Sequence, residues 1–182
     1  MKLQEFFFRQ ALFEIGIVNG KIKIDHKNGK CFHSSIGVSN IIFPMSTVEK
    51  VKLIPKDKEN DFIFLGKLSF GREWIMKYEN VSESLYGRDP KKKYIFHREY
   101  FEQLCSAKYV LCPTGDCPWS YRFFEAIMCF SIPVLGDDEN DIFSDNFFFY
   151  KDSETKKYSE DICRQNYLTF LANHTFSKFR NK

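Results

Sequence analysis

One stretch, Lys108 to Asp138, constrains the fold more than any other: KYVLCPTGDCPWSYRFFEAIMCFSIPVLGDD. It opens with an apolar run, Tyr109-Val110-Leu111-Cys112. A turn-rich loop follows, from Pro113 through Gly115 to Pro118. Then comes a segment of helical character, about 119–130, and a second apolar run, Ile132-Pro133-Val134-Leu135. Strand, loop, helix, strand is the grammar of an α/β protein. In such folds the loop after a strand and the start of the next helix are the usual place for an anionic ligand. The loop has suitable parts. Gly115 lets the backbone approach a ligand closely. Thr114 and Ser120 bring hydroxyls, and Ser120 fits an N-cap. Arg122 falls in the first helical turn, where a guanidinium reaches a phosphate at the helix end. Glu125 follows three residues on, on the same face, where a carboxylate accepts from sugar hydroxyls. Phe123, Phe124, Ile127 and Met128 make the other face, suited to packing on a sheet. The competing structural reading of Arg122 and Glu125 is a surface pair worth a few tenths of a kcal/mol.

These residues resemble a known family. Ser106 to Pro113 through Gly115, then Trp119-Ser120-Tyr121-Arg122-Phe123-Phe124-Glu125-Ala126, then Ile132-Pro133-Val134, look like the hallmark segment of the exostosin-like glycosyltransferases, family 47. The family pattern there is roughly S-K-F-C-L-x-P-x-G, S-x-R-x-x-E-A and x-P-V. The strong match covers about thirty residues. Phe130 departs from it, standing where the family has a glycine, so the helix end must be closed differently. The resemblance implies the C-terminal, donor-binding half of a GT-B enzyme, which moves a sugar from a nucleotide donor to an acceptor hydroxyl, usually with inversion and without an essential metal. It implies no cofactor beyond a nucleotide-sugar donor, UDP-linked by expectation, and a glycan acceptor. Arg122 would hold the diphosphate, Glu125 the ribose or donor sugar, and Thr114, Gly115 and Ser120 would line the phosphate turn. The fucosyltransferases share the outline but fit Pro113–Arg122 less well.

A second strand, Asp61 to Gly66, opens a similar loop through Lys67, Ser69, Gly71 and Arg72 into a helix expected over 72–79. Beside the resemblance, Lys67 and Arg72 become candidates for the donor's pyrophosphate. The alternative is a solvated lysine, with the arginine paired to Glu73 or Glu79.

With 182 residues there is room for one domain with a real core. Hydrophobic residues at 43% and 21 Phe argue for a folded chain. A net charge of only +3 gives no support for a nucleic-acid partner. No apolar run reaches the length of a membrane span. Glu5, Arg9 and Glu14 break the first twenty residues, which lack the apolar core of a signal peptide. The expectation is a cytoplasmic protein with its six cysteines reduced. Their spacings form no zinc pattern, and Cys31 with His33 lacks further ligands.

Residues 1–18 suit an amphipathic helix, with Phe6, Phe7, Ala11, Leu12 and Ile15 on one side. Its face needs a partner: the body of the domain, a second chain or a membrane surface. Ile22 and Ile24 read as a short strand between Asn19-Gly20 and Asn28-Gly29. Residues 94–96 and 147–150 are further strand candidates, 98–106 and 158–172 helices. Lys91-Lys92-Lys93 reads as a solvated face, and His97 as a capping or surface residue. Asp137-Asp138-Glu139-Asn140-Asp141 has no EF-hand spacing and reads as a solvated loop.

The expected fold is α/β, a Rossmann-like, mainly parallel sheet flanked by helices, half of a GT-B fold. Residues 1–60 make an N-terminal helix and short strands, a remnant of an acceptor domain; 61–172 make the nucleotide-sugar-binding domain; 173–182 make a polar tail that frays. Sixty residues are too few for the second domain a GT-B enzyme needs, so the general base is not assigned. A second polypeptide supplying the acceptor domain is one arrangement this allows. A truncated, non-catalytic nucleotide-diphosphate- or partner-binding domain is the alternative.

Overall fold

A computed structural model describes residues 3–68, 71–82, 96–115, 117–139 and 146–177. The chain begins with α1 (Leu3–Glu14) and a three-stranded antiparallel sheet, β1 (Ile22–Asp25), β2 (Lys30–His33) and β3 (Gly37–Asn40), followed by α2 (Met45–Lys52). Then come β4 (Asn60–Leu65), a 3-10 helix (Glu73–Lys77), β5 (Val81–Ser82), α3 (Arg98–Cys105), β6 (Ala107–Leu111), α4 (Tyr121–Met128), β7 (Ile132–Leu135), β8 (Tyr150–Lys151) and α5 (Glu160–His174). Strands β5-β4-β6-β7-β8 form a five-stranded sheet, parallel throughout. The expected Rossmann-like sheet flanked by helices is therefore present. Strand order reverses between β4 and β6, which makes their C-terminal ends a topological switch point, the place where open parallel sheets commonly bind their ligands.

Both faces of this sheet are covered, and alternation along the strands divides them. Ile63, Leu65, Val110 and Cys112 join one core with Leu104, Phe123, Phe124, Ile127 and Phe170 of the helices. Phe64, Tyr109 and Leu111 join the other with Ile75 and Cys163. Residues 41–54 contribute Phe43, Val48 and Val51 to the first core. Phe43 touches Phe7, Tyr121, Phe124 and Phe170 at 5.5–5.9 Å between ring centroids. The face of α1 is covered from within the chain: Phe8, Ala11 and Leu12 pack with Cys31, Ile42 and Phe176. Gly16, at φ +82°, stops α1 four residues short of the expected 1–18 by closing a left-handed cap.

At the N-terminal edge of the sheet, Lys58 ties two helix ends together. Its ammonium donates to Cys105 O (2.9 Å), Cys129 O (2.8 Å) and Ser131 Oγ (2.9 Å). A cation at the C-termini of α3 and α4 meets the negative ends of their dipoles. Burial lowers its pKa to about 8, and the nearby thiols of Cys129 and Cys105 oppose that shift.

Several expectations are corrected. The helix over 72–79 is a single 3-10 segment, with Arg72 at its N-cap position. In 147–150 only Tyr150 is in a strand, since Asn166 takes the backbone of Phe148 through both its N–H and its carbonyl. The tail does not fray at Asn173: His174, Thr175 and Phe176 are buried, and Phe43 N–H donates to His174 O at 2.8 Å. Residues 94–95, the run 91–93 and residues 140–141 lie outside the described residues. Among the described residues, no helix is long and apolar enough to cross a membrane.

Candidate functional site

The loops after β4 and β6 meet at the switch point, and two arginines join them. Ser120 caps α4 as its sequence position predicts, its Oγ accepting the Arg122 N–H at 3.2 Å. That places Arg122 in the first turn, from which it reaches back across the sheet edge. Its Nη2 donates to Leu65 O at 2.5 Å, and its guanidinium lies 4.5 Å above the Phe64 ring. Its Nε is buried without a hydrogen-bond partner. Gly66 is what admits this side chain, because a Cβ there would collide with Arg122 Nη2.

Arg72 bridges the same two loops from the other side. Its Nη1 donates to Lys67 O at 2.7 Å, and its Nε and Nη2 to Thr114 O at 3.3 and 3.2 Å. These acceptors differ from Glu73 and Glu79, the partners considered from sequence. Gly115 passes close to Arg72, with room for a Cβ only at 3.2 Å from Nη2.

Arg72, Arg122, Thr114, Gly115 and the backbone of Lys67 are thus brought together. The Lys67 side chain is exposed. Ser120 is engaged as a cap. Glu125 lies one turn further along α4, half-buried, with Oε2 accepting from the Tyr100 hydroxyl at 2.6 Å. Burial raises its pKa, and that hydroxyl and Arg122 partly offset the effect. Burial, then the Glu125 charge, drives the Tyr100 phenol well above its ordinary value. His97 stands at the N-cap position of α3 without a side-chain capping bond. Trp119 closes one flank of the loop, its indole N–H donating to His26 O of the β1–β2 turn at 2.8 Å.

Glu139 is the residue that sequence reasoning missed. The acidic run from Asp137 reads as a solvated loop, yet this carboxylate turns inward. Its Oε1 accepts from Thr114 N–H (3.1 Å) and Oγ1 (3.2 Å), and its Oε2 from Gly136 N–H (3.0 Å). The available signal is spacing alone: a glutamate three residues beyond a glycine at a strand end.

Among the described residues no group of three or more His, Cys, Asp or Glu is placed to hold a metal ion. No protein-family model matches the chain, and a search of curated proteins finds no match.

Proposed function

We propose that the chain binds the diphosphate of a nucleotide-sugar at the switch point between the ends of β4 and β6, and that it serves as the donor-binding half of an exostosin-like glycosyltransferase. The observation that carries this is the convergence of Arg72 and Arg122, from two different strand-end loops, on the switch point of a parallel sheet. A leaving nucleoside diphosphate gains negative charge as the sugar departs. Two guanidiniums and the N-terminus of α4, fixed before the reaction, stabilise that charge without reorganising. The acceptor hydroxyl attacks the anomeric carbon, and its proton goes to a base that a further domain or polypeptide supplies. A cytoplasmic location goes with this proposal, in keeping with six free thiols.

A second reading has its own observation. Both guanidiniums already hold main-chain carbonyls, as structural latches do. On that reading the domain is non-catalytic and binds a nucleotide diphosphate or a partner. Calorimetric titration with UDP, with GDP for comparison, tests the shared element. UDP should bind, and Arg122→Ala should weaken it by about 2 kcal/mol, as loss of a charged hydrogen bond does. A folded protein that binds neither nucleotide sinks the site. Release of UDP from a UDP-sugar by the chain with its acceptor partner separates enzyme from binding module.

A further inference from the structure

At the ends of β6 and β7 a side chain of the protein itself fills an anion cradle. One carboxylate, Glu139, satisfies three donors from two strand-end loops: Thr114 N–H, Thr114 O–H and Gly136 N–H. The surroundings offer more than a loop staple needs. The indole N–H of Trp74 is buried without a partner. It lies beside Gly136, where a Cβ would stand 3.0 Å from Trp74 Nε1. Arg72 donates to the carbonyl of the same Thr114 whose N–H and hydroxyl face the carboxylate. Donors gathered from successive strand ends toward one anion are what a phosphoryl group requires, and two carboxylate oxygens span them as two phosphoryl oxygens would.

We propose that this cradle is a phosphoryl-binding subsite, that Glu139 is its internal occupant, and that the diphosphate of an incoming nucleotide displaces it. The inference rests on the assignment of the Thr114 loop to a diphosphate under Proposed function. While Glu139 is in place, the two Thr114 donors and the Gly136 N–H are satisfied and the carboxylate repels a second anion. A ligand must therefore break three hydrogen bonds before it makes its own, and the apparent affinity falls by that amount. The loop itself is held independently of the carboxylate. Lys151 Nζ donates to the carbonyls of Gly136 and Glu139, and Glu139 N–H donates to Gly136 O at 3.1 Å. Removing the side chain charge should leave the cradle standing and empty.

The test is calorimetric titration of inorganic pyrophosphate and of UDP into the wild-type chain, Glu139→Gln, Glu139→Ala and Glu139→Ala/Thr114→Val. Pyrophosphate should bind Glu139→Ala at least about tenfold more tightly than wild type, since three hydrogen bonds to a charged group no longer compete. Glu139→Gln, which keeps shape and loses charge, should gain in the same direction and decides the matter if the alanine variant does not fold. The double variant should lose the gain. Unchanged or weaker pyrophosphate binding in folded variants makes Glu139 a loop staple and overturns the proposal. Tighter pyrophosphate binding with no UDP binding in any form keeps the cradle and removes the nucleotide assignment. UDP binding of equal strength in wild type and both single variants keeps the nucleotide assignment and removes the cradle. In the wild type, pyrophosphate should shift the amide resonances of Thr114 and Gly136. Their constancy at saturating pyrophosphate also overturns the proposal.

Discussion

The two edges of the parallel sheet handle buried donors in opposite ways. At the N-terminal edge, Lys58 sends its ammonium to three acceptors at 2.8–2.9 Å, all at helix ends or beside them. Ser131 Oγ, one of those acceptors, reaches Ala107 O and Leu104 O as well. That edge is saturated. At the C-terminal edge, Arg122 Nε and Trp74 Nε1 are buried without partners, and a side chain carboxylate fills the donors of Thr114 and Gly136. A buried donor left unmatched costs about 1–3 kcal/mol, so a structural cation is placed to use its hydrogens up. Among the described residues, spare donor capacity lies at the C-terminal edge and not at Lys58, and the proposed ligand site rests on that difference.

The comparison breaks most readily at Lys58. Lys58→Met should lower unfolding stability by about 4 kcal/mol, because three acceptors and two helix ends lose one charged donor. Urea denaturation measures this. Nucleotide affinity of the folded fraction should not change; a parallel loss of affinity would mean that the two edges are coupled.

Next comes His174, also on the structural side. Burial lowers its pKa to about 4, with the Ile41 carbonyl at 2.9 Å opposing that shift. The unfolded chain takes up the proton near pH 6.5, while the folded chain resists it to about pH 4. Protonation therefore favours unfolding across that window. Stability is full above pH 6.5 and falls as pH drops to 4, by about 3 kcal/mol in all. Wild type should lose that much more than His174→Gln between pH 7 and pH 4. Equal pH profiles would show that the imidazole is not the group responsible.

Gly66→Ala sharpens the opposite edge. The added methyl occupies the position of Arg122 Nη2 and must drive the guanidinium off Leu65 O. The expected outcome is a loss of UDP affinity close to that of Arg122→Ala, about 2 kcal/mol, with a loss of stability of about 1–3 kcal/mol as the guanidinium leaves its acceptor. Full UDP binding by Gly66→Ala would show that the arginine's position does not matter.

The smallest effect is expected at Phe130. This residue has φ +55°, the left-handed conformation that ends α4, and its ring lies 4.9 Å from Tyr167. Phe130→Gly and Phe130→Ala both lose the ring, so the difference between them reports the backbone. The glycine variant should be more stable by about 1 kcal/mol, the reverse of the order in a helix interior. Denaturant midpoints measure it, and an alanine variant of equal or greater stability would contradict the strain.

What was legible in the sequence was local. The run from Lys108 to Asp138 declares its strand, loop, helix and strand through apolar periodicity, and Ser120 declares the cap. The expectation that Phe130 closes the helix differently is corrected: it takes the left-handed conformation a glycine would, with Ser131 N–H donating to Ala126 O at 2.9 Å. What was not legible depends on partners far along the chain. Lys58 finds its acceptors 47 and more residues away. Glu139 turns inward because Thr114, 25 residues earlier, presents two donors to it, and nothing in an acidic run signals that. Likewise Glu125 reads from sequence as a sugar acceptor or a surface partner of Arg122, and it is half-buried against Tyr100, since the side-by-side packing of α3 and α4 is a tertiary fact.

Under the proposed function the C-terminal edge of the sheet, at the switch point between β4 and β6, takes a nucleoside diphosphate. The most direct measurement is a map of backbone amide shifts as UDP is added to the isotopically labelled chain. Shifts concentrated at Gly66, Thr114, Gly115 and Arg122, with Asn60, Ser106 and Ser131 unmoved, are the result predicted. Shifts centred on the N-terminal edge, or none at saturating UDP, would contradict it.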